Sequence, residues 1–173
     1  MILTGNEIHK EVRNGNIVIS PFEESRITTN TYDLTLGAVL LQYTDECIDP
    51  RKPNQTKQIH IPQEGYLMKK HEFLLGHSNE TLGSNRYVPI IHARSSIARL
   101  GLFVHITADL IDIGSVGQTT FQLYATRDIF LKKDMSIGQV SFWMTKGEIT
   151  LYNGKYQGSK GPAASKAYHD YIA

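Results

Sequence analysis

Cysteine is almost absent: Cys47 is the only one in 173 residues. One thiol cannot form an internal disulfide, and there is no CxxC pair, so the sequence predicts a reducing compartment and a fold held by its own core. Excess charge is also missing. Lys and Arg number 18 against 17 Asp and Glu, a formal net charge of +1, which argues against a nonspecific nucleic-acid coat or a polybasic membrane anchor. No apolar run approaches the roughly 20 residues that cross a bilayer. The opening MILTGNEIHKEV turns polar within a few residues and lacks the apolar segment of a signal peptide. The expectation is one cytoplasmic domain with no membrane or nucleic-acid partner. A local basic pocket for a small polyphosphate stays open.

What is present is the profile of an ordinary globular chain, with 40% hydrophobic and 20% charged residues. One short helix opens it: Thr4 and Glu7 have capping-box spacing, Ile8 and Val12 share a face, and Asn14-Gly15 ends it. Strands follow, rich in β-branched and aromatic residues with turn residues between them: Asn16–Ser20, Thr31–Tyr43, Gln58–Ile61, Tyr66–Leu75 and Tyr87–His92. A second group covers Gly101–Thr107, Gln118–Tyr124, Ile137–Thr145 and Ile149–Tyr152. A short helix over Arg94–Gly101 separates the two groups, started by serines and stopped by glycine. The last stretch, with Gly158, Gly161 and Pro162, reads as a mobile tail. Many short strands and two helical pieces predict an all-β, jelly-roll-like sandwich or barrel.

Five segments could carry chemistry. At Arg94-Ser95-Ser96, free backbone N–H groups, two hydroxyls and the guanidinium forks of Arg94 and Arg99 suit a phosphate; the same residues also make a plain serine-capped surface helix. Asp109 and Asp112 stand at the end of an apolar strand beside Gly114, where a carboxylate can orient a water or a sugar hydroxyl, or simply close a turn. Strand alternation puts Thr120, Gln122 and Tyr124 on one face, and the Gln122 amide could read a base edge. Gln139 is polar in an apolar strand and needs partners, as a core hydrogen-bonder or a water-orienting group. The glycine-punctuated Tyr152–Pro162 stretch could close over phosphates or be a disordered tail.

In order and spacing these segments resemble the dCTP deaminase and dUTPase superfamily, the deaminase branch above all. The resemblance runs from Met1-Ile2-Leu3-Thr4-Gly5 and Thr31-Tyr32-Asp33-Leu34-Thr35-Leu36-Gly37 through Arg94-Ser95-Ser96-Ile97-Ala98-Arg99-Leu100-Gly101-Leu102 and Ile111-Asp112-Ile113-Gly114. It continues over Ile137-Gly138-Gln139 to Gly154-Lys155-Tyr156-Gln157-Gly158-Ser159-Lys160-Gly161. It implies a distorted jelly roll of the dUTPase-like β-clip type, assembled as a homotrimer with sites between subunits. It also implies a triphosphate bound by Arg94, Ser95, Ser96 and Arg99, with Mg²⁺ chelated by that triphosphate and no metal ligand on the chain. The pyrimidine is then read largely by backbone around Val104–Asp112, which includes Thr107 and Ala108. A C-terminal lid over about 153–173 brings Tyr152, Lys155 and Lys160 to the nucleotide. Zinc is not expected, because one cysteine and seven scattered histidines cannot supply the zinc deaminase signature.

The chain departs from that pattern at Gln122. The resemblance places a proton-shuttling glutamate there, ten residues after Asp112, and an amide has no pKa near neutrality. Ser115 replaces an aromatic expected to pack on the deoxyribose, and Ser159 replaces a lid glutamine. Asp112 and Gln139 match residues that place the attacking water for diphosphate release, with Ser95 at the phosphates; these three and Gln122 are the candidate catalytic residues. The expected enzyme is a hydrolase on the dCTP to dUTP and dUMP route, dCTP deaminase-like without zinc and/or a dUTP diphosphatase. The alternatives are a dUTP diphosphatase alone, on the strength of Gln122, or a catalytically silent nucleotide-binding trimer.

Overall fold

The structure is a computed structural model that describes residues 1–171. Helix α1 (Gly5–Arg13) forms where the capping spacing placed it: Thr4 Oγ1 accepts the Glu7 N–H at 3.4 Å. Ile8 is fully buried on its inner face, and Gly15, at φ +75°, takes the left-handed turn that ends it. Strand β1 (Ile17–Ser20) follows as expected, alternating buried and exposed.

The run expected as one strand over Thr31–Tyr43 is two. Strand β2 (Tyr32–Thr35) and β3 (Val39–Tyr43) enter different sheets. The chain turns between them at Gly37, where a Cβ would lie 2.0 Å from the His77 ring, so only glycine fits. The Tyr66–Leu75 run also divides, into β5 (Tyr66–Met68) and β6 (Phe73–Ser84), with His71 at φ 66° in the turn. The expected strand stops at Leu75 and leaves out nine of the twelve residues of β6, because His77, Ser78, Asn79 and Glu80 interrupt the apolar pattern. Three of these four are buried. Glu80 is fully buried and satisfied internally: Arg26 and the Thr35 hydroxyl donate to Oε1, and the Thr35 N–H to Oε2 at 3.0 Å.

The remaining strands are β4 (Thr56–His60), β7 (Tyr87–Ala93), β8 (Leu102–Phe103), β9 (Val116–Ala125), β10 (Ile129–Leu131) and β11 (Ser136–Met144). β8 is far shorter than the expected Gly101–Thr107, β10 was not foreseen, and Ile149–Tyr152 forms no strand. Helix α2 is a single turn, Ser95–Ala98. All pairings are antiparallel. One sheet runs β4-β3-β6-β9-β8 with β1 also on β6, a second runs β2-β11-β7, and β5 pairs β10. The core fills the space between the two larger sheets, with Tyr32, Leu34, Phe121, Leu123, Val140 and Phe142 at or near zero exposure. The mainly β fold agrees with the all-β expectation. Among the described residues no helix is long and apolar enough to cross a membrane.

The C-terminal segment expected as a mobile tail is placed along β9. Gly158 N–H donates to Val116 O at 2.9 Å, and Gln118 N–H to Ser159 O at 2.8 Å. Gly161 N–H donates to Gln118 Oε1 at 2.6 Å, and Ala163 N–H to Thr120 Oγ1 at 3.0 Å. Gly117 permits this approach: a Cβ there would sit 2.8 Å from the Ser159 nitrogen. The last two residues of the expected lid lie outside the described residues.

Candidate functional site

Strand alternation in β9 sets the site. Phe121 and Leu123 turn inward to the core, so Thr120 and Gln122 face outward. On that outward face lies a cavity of about 470 Å³ bounded by β6, β9, the loop before β9 and the docked C-terminal segment. Gln122, Thr120, Ala108, Ser115, Ser159 and Tyr156 are among its walls. Among the described residues, no lining residue is Asp, Glu, His, Lys or Arg. A neutral wall of apolar, hydroxyl and amide groups suits an uncharged ring with hydrogen-bonding edges. It offers no side chain able to carry a proton near neutral pH.

The amides on this wall are not equivalent. Gln118 is committed within the chain: Nε2 donates to Asn79 O at 3.0 Å, and Oε1 accepts from Gly161. Gln122 Oε1 accepts the backbone N–H of Ile106 at 3.3 Å. That contact ties the β9 wall to the loop that carries Thr107 and Ala108. Thr107 is exposed there, and Ala108 reaches the cavity.

The phosphate candidates stand elsewhere. Arg94 precedes α2 and its Nε lies 3.1 Å from Asp33 Oδ2; Gln139 donates from Nε2 to Asp33 Oδ1 at 2.8 Å. Asp33 is not among the residues the sequence singles out as a site, although a carboxylate in the apolar run Tyr32–Leu36 is a visible signal. Ser95, Ser96 and Arg99 are exposed around the same turn. Arg94 makes no side-chain capping bond.

Asp112 is exposed; its carbonyl accepts Ser115 N–H at 3.0 Å, closing a turn. It shares a shallow groove with Ile113 and Tyr152. The Tyr152 hydroxyl accepts the Tyr156 N–H at 3.1 Å. Lys155 pairs with Asp170 within the same segment, which holds its ammonium above the usual lysine range. Lys160 is exposed.

One chain therefore brings Gln122 and Ala108 together around the cavity, and Arg94 and Gln139 together at Asp33, but does not unite the two groups. The core lies between them. Gly138, beside Gln139, faces the Phe121 ring, and a Cβ at Gly138 would come within 3.2 Å of it. Gln122 points away from that same ring.

A third polar group lies on the outer face of β7 and β11. His92 Nε2 and Ser141 Oγ are 2.7 Å apart, and Trp143 Nε1 donates to the same oxygen at 2.9 Å. Burial lowers the His92 pKa, and nearby His105 lowers it further, against Asp109. Among the described residues, His105 Nδ1 is buried without a partner.

Two antiparallel sheets of short strands packed over one core define a mainly β protein of the jelly-roll type. Residues 2–145 match the dCTP deaminase-like family, and the chain belongs to that family. Curated relatives agree along the full length. The chain is 42% identical over 172 residues to "dCTP deaminase, dUMP-forming" of Clostridium botulinum (strain Eklund 17B / Type B), covering 99% of each chain. It is 39% identical over 172 residues to the protein of that name from Cytophaga hutchinsonii, again 99% of each. The crystal structure of 2'-deoxycytidine 5'-triphosphate deaminase from Agrobacterium tumefaciens superposes with a TM-score of 0.66 at 16% identity. It covers 83% of this chain and 48% of that one, a likeness of fold.

These relatives correct the enzyme class expected from Gln122. Their shared name is that of a deaminase, a hydrolase of C–N bonds, and it overturns the expectation of a dUTP diphosphatase in place of a deaminase. The one side chain behind that expectation, Gln122, carries less information than 172 aligned positions.

Proposed function

We propose that the chain binds a pyrimidine deoxynucleoside triphosphate and acts on the route from dCTP to dUMP. Its relatives' name supports this, and the neutral cavity beside Gln122 is the observation that carries it. Two steps make up the route. Water adds its oxygen at C4 of cytosine as the C4–N bond breaks and ammonia leaves. A second water attacks the α-phosphorus as diphosphate leaves.

In this reading the base enters the cavity, with Thr107 and Ala108 on the loop at its edge. Arg94, Ser95, Ser96 and Arg99 grip the phosphates, and Lys155 and Lys160 approach them from the C-terminal segment. Asp112 and Gln139 place water for the second step. Donors of the Arg and Ser type suit phosphate oxygens rather than a metal. As the family resemblance implies, Mg²⁺ would be carried by the triphosphate and would neutralise phosphate charge there. The separation of Arg94 from Gln122 across the core supports a site shared between subunits, since a second copy can bring its Arg94 turn to this copy's cavity; the homotrimer itself rests on the family resemblance.

A second reading is favoured by one observation. Gln122 is neutral and no lining side chain can replace a proton carrier, which fits an oligomer that binds nucleotide without turnover. A product assay decides between them. Incubation with Mg²⁺ and dCTP, resolved by chromatography, yields dUMP under the first reading. Unchanged dCTP together with a nucleotide-dependent rise in Tm supports the second. No product and no rise in Tm sinks both.

A further inference from the structure

We infer that the cavity discriminates between bases through Gln122, favouring a pyrimidine with a carbonyl at the 4-position over one with an amino group there. The inference rests on the reading that this cavity holds the base with its 4-position toward Gln122. It adds which form of the ring the cavity prefers on the route from dCTP to dUMP.

An isolated glutamine is ambiguous, because its amide can turn over and offer either the oxygen or the NH₂ group. Gln122 lacks that freedom. The Ile106 N–H is a donor and can only face the amide oxygen, and it meets Oε1 at 3.3 Å. Turning the amide over would set the Ile106 N–H against the Gln122 NH₂, donor against donor. The loop backbone thus fixes the orientation chemically. The end left over is Nε2, and among the described residues nothing accepts from it. The cavity therefore presents two N–H bonds as a donor.

Six of the eight other polar side chains on the wall are already engaged, and the Ser115 and Thr119 hydroxyls make no hydrogen bond among the described residues. Gln118 uses both ends of its amide. Thr120 Oγ1 accepts from Ala163, Ser159 Oγ donates to Tyr156 O, and the Tyr43 hydroxyl accepts from Ser165. Among the described residues, no charged group lines the cavity to offset a mismatch. A ring carbonyl opposite Nε2 gains a hydrogen bond. A ring amino group opposite Nε2 sets donor against donor and leaves both desolvated without a partner. Discrimination by a positioned hydrogen-bonding group is strong for this reason. On the route from dCTP to dUMP, the uracil state is then held more tightly than the cytosine state that precedes it.

The test compares α,β-imido triphosphates of deoxyuridine and deoxycytidine, which resist diphosphate release. Each is titrated calorimetrically into the full-length protein with Mg²⁺, and the base is checked by chromatography afterwards. The uracil compound should bind about ten-fold more tightly, the scale of one hydrogen bond gained against one lost. Gln122→Glu keeps an acceptor for Ile106 but removes the donor, so it should abolish or reverse the preference. Equal affinities, or tighter binding of the cytosine compound, overturn the inference while leaving the cavity a base site. A preference that survives Gln122→Glu also overturns it, by assigning the discrimination to other groups. Binding of neither compound removes the base-site reading itself.

Discussion

Gln139 and Asp33 face each other across the β2–β11 pairing, and the glutamine Nε2 donates to Oδ1 at 2.8 Å. The other carboxylate oxygen lies 3.1 Å from Arg94 Nε. One buried carboxylate thus orients both a strand amide and the guanidinium at the start of α2. Asp33→Ala removes both anchors without touching the cavity on the far side of the core. Triphosphate affinity should fall about five- to ten-fold, because an unheld guanidinium must be ordered on binding. Calorimetric titration with a non-hydrolysable nucleotide reads this, and unchanged affinity would show that Arg94 needs no such support.

Arg26 and Glu80 form an ion pair in which the carboxylate is fully buried. Arg26→Met strands that carboxylate with only the Thr35 groups as partners. Breaking a buried pair from one side costs about 3 kcal/mol or more. For a chain of this size the Tm should drop by roughly 10 °C. A double variant in which Glu80 is also replaced by Leu should recover part of the loss. A drop in Arg26→Met of under 2 °C in a thermal melt would assign the pair little role in stability.

His92 links pH to stability. Its folded pKa lies below the ordinary 6.5, first through burial, then through His105. A histidine with a depressed folded pKa protonates more readily when unfolded. Its effect is therefore absent above the ordinary value, and stability declines as pH falls below about 6.5, levelling off below the folded pKa. Buried His77 is lowered in the same way and adds to the slope. Melts from pH 8 to pH 5 should show Tm falling below pH 6.5, with a shallower fall in His92→Gln. Identical slopes in the two proteins would exclude His92 as a contributor.

Gly117 lets the C-terminal segment lie against β9. Gly117→Ala places a methyl group 2.8 Å from the Ser159 nitrogen, which must displace the segment or the strand. Limited proteolysis should then cut within residues 153–165 at least ten times faster, while the melting of the sheets changes by about 1 kcal/mol or less. Protection equal to that of the unaltered protein would mean the contact can relax at no cost.

Much of this protein was legible in the sequence alone. The capped first helix, the strand character of most segments, and the face on which Gln122 lies all follow from local chemistry and side-chain period, which act over a few residues. The family was legible in the order of the Arg94–Gly101, Ile111–Gly114 and Ile137–Gln139 segments. Contacts between distant segments were not. Gly37 breaks a long apolar run into strands of two sheets because the His77 ring needs its space. The polar stretch His77–Glu80 is strand because Arg26 and Thr35 satisfy Glu80 from elsewhere. Asp33 acquires its role only when pairing brings Gln139 and Arg94 to it. Local propensity determined which segments could be helix or strand, whereas the orientation of Gln122 was decided by the Ile106 N–H, sixteen residues away in the chain and brought to 3.3 Å only by the packing of the loop against β9.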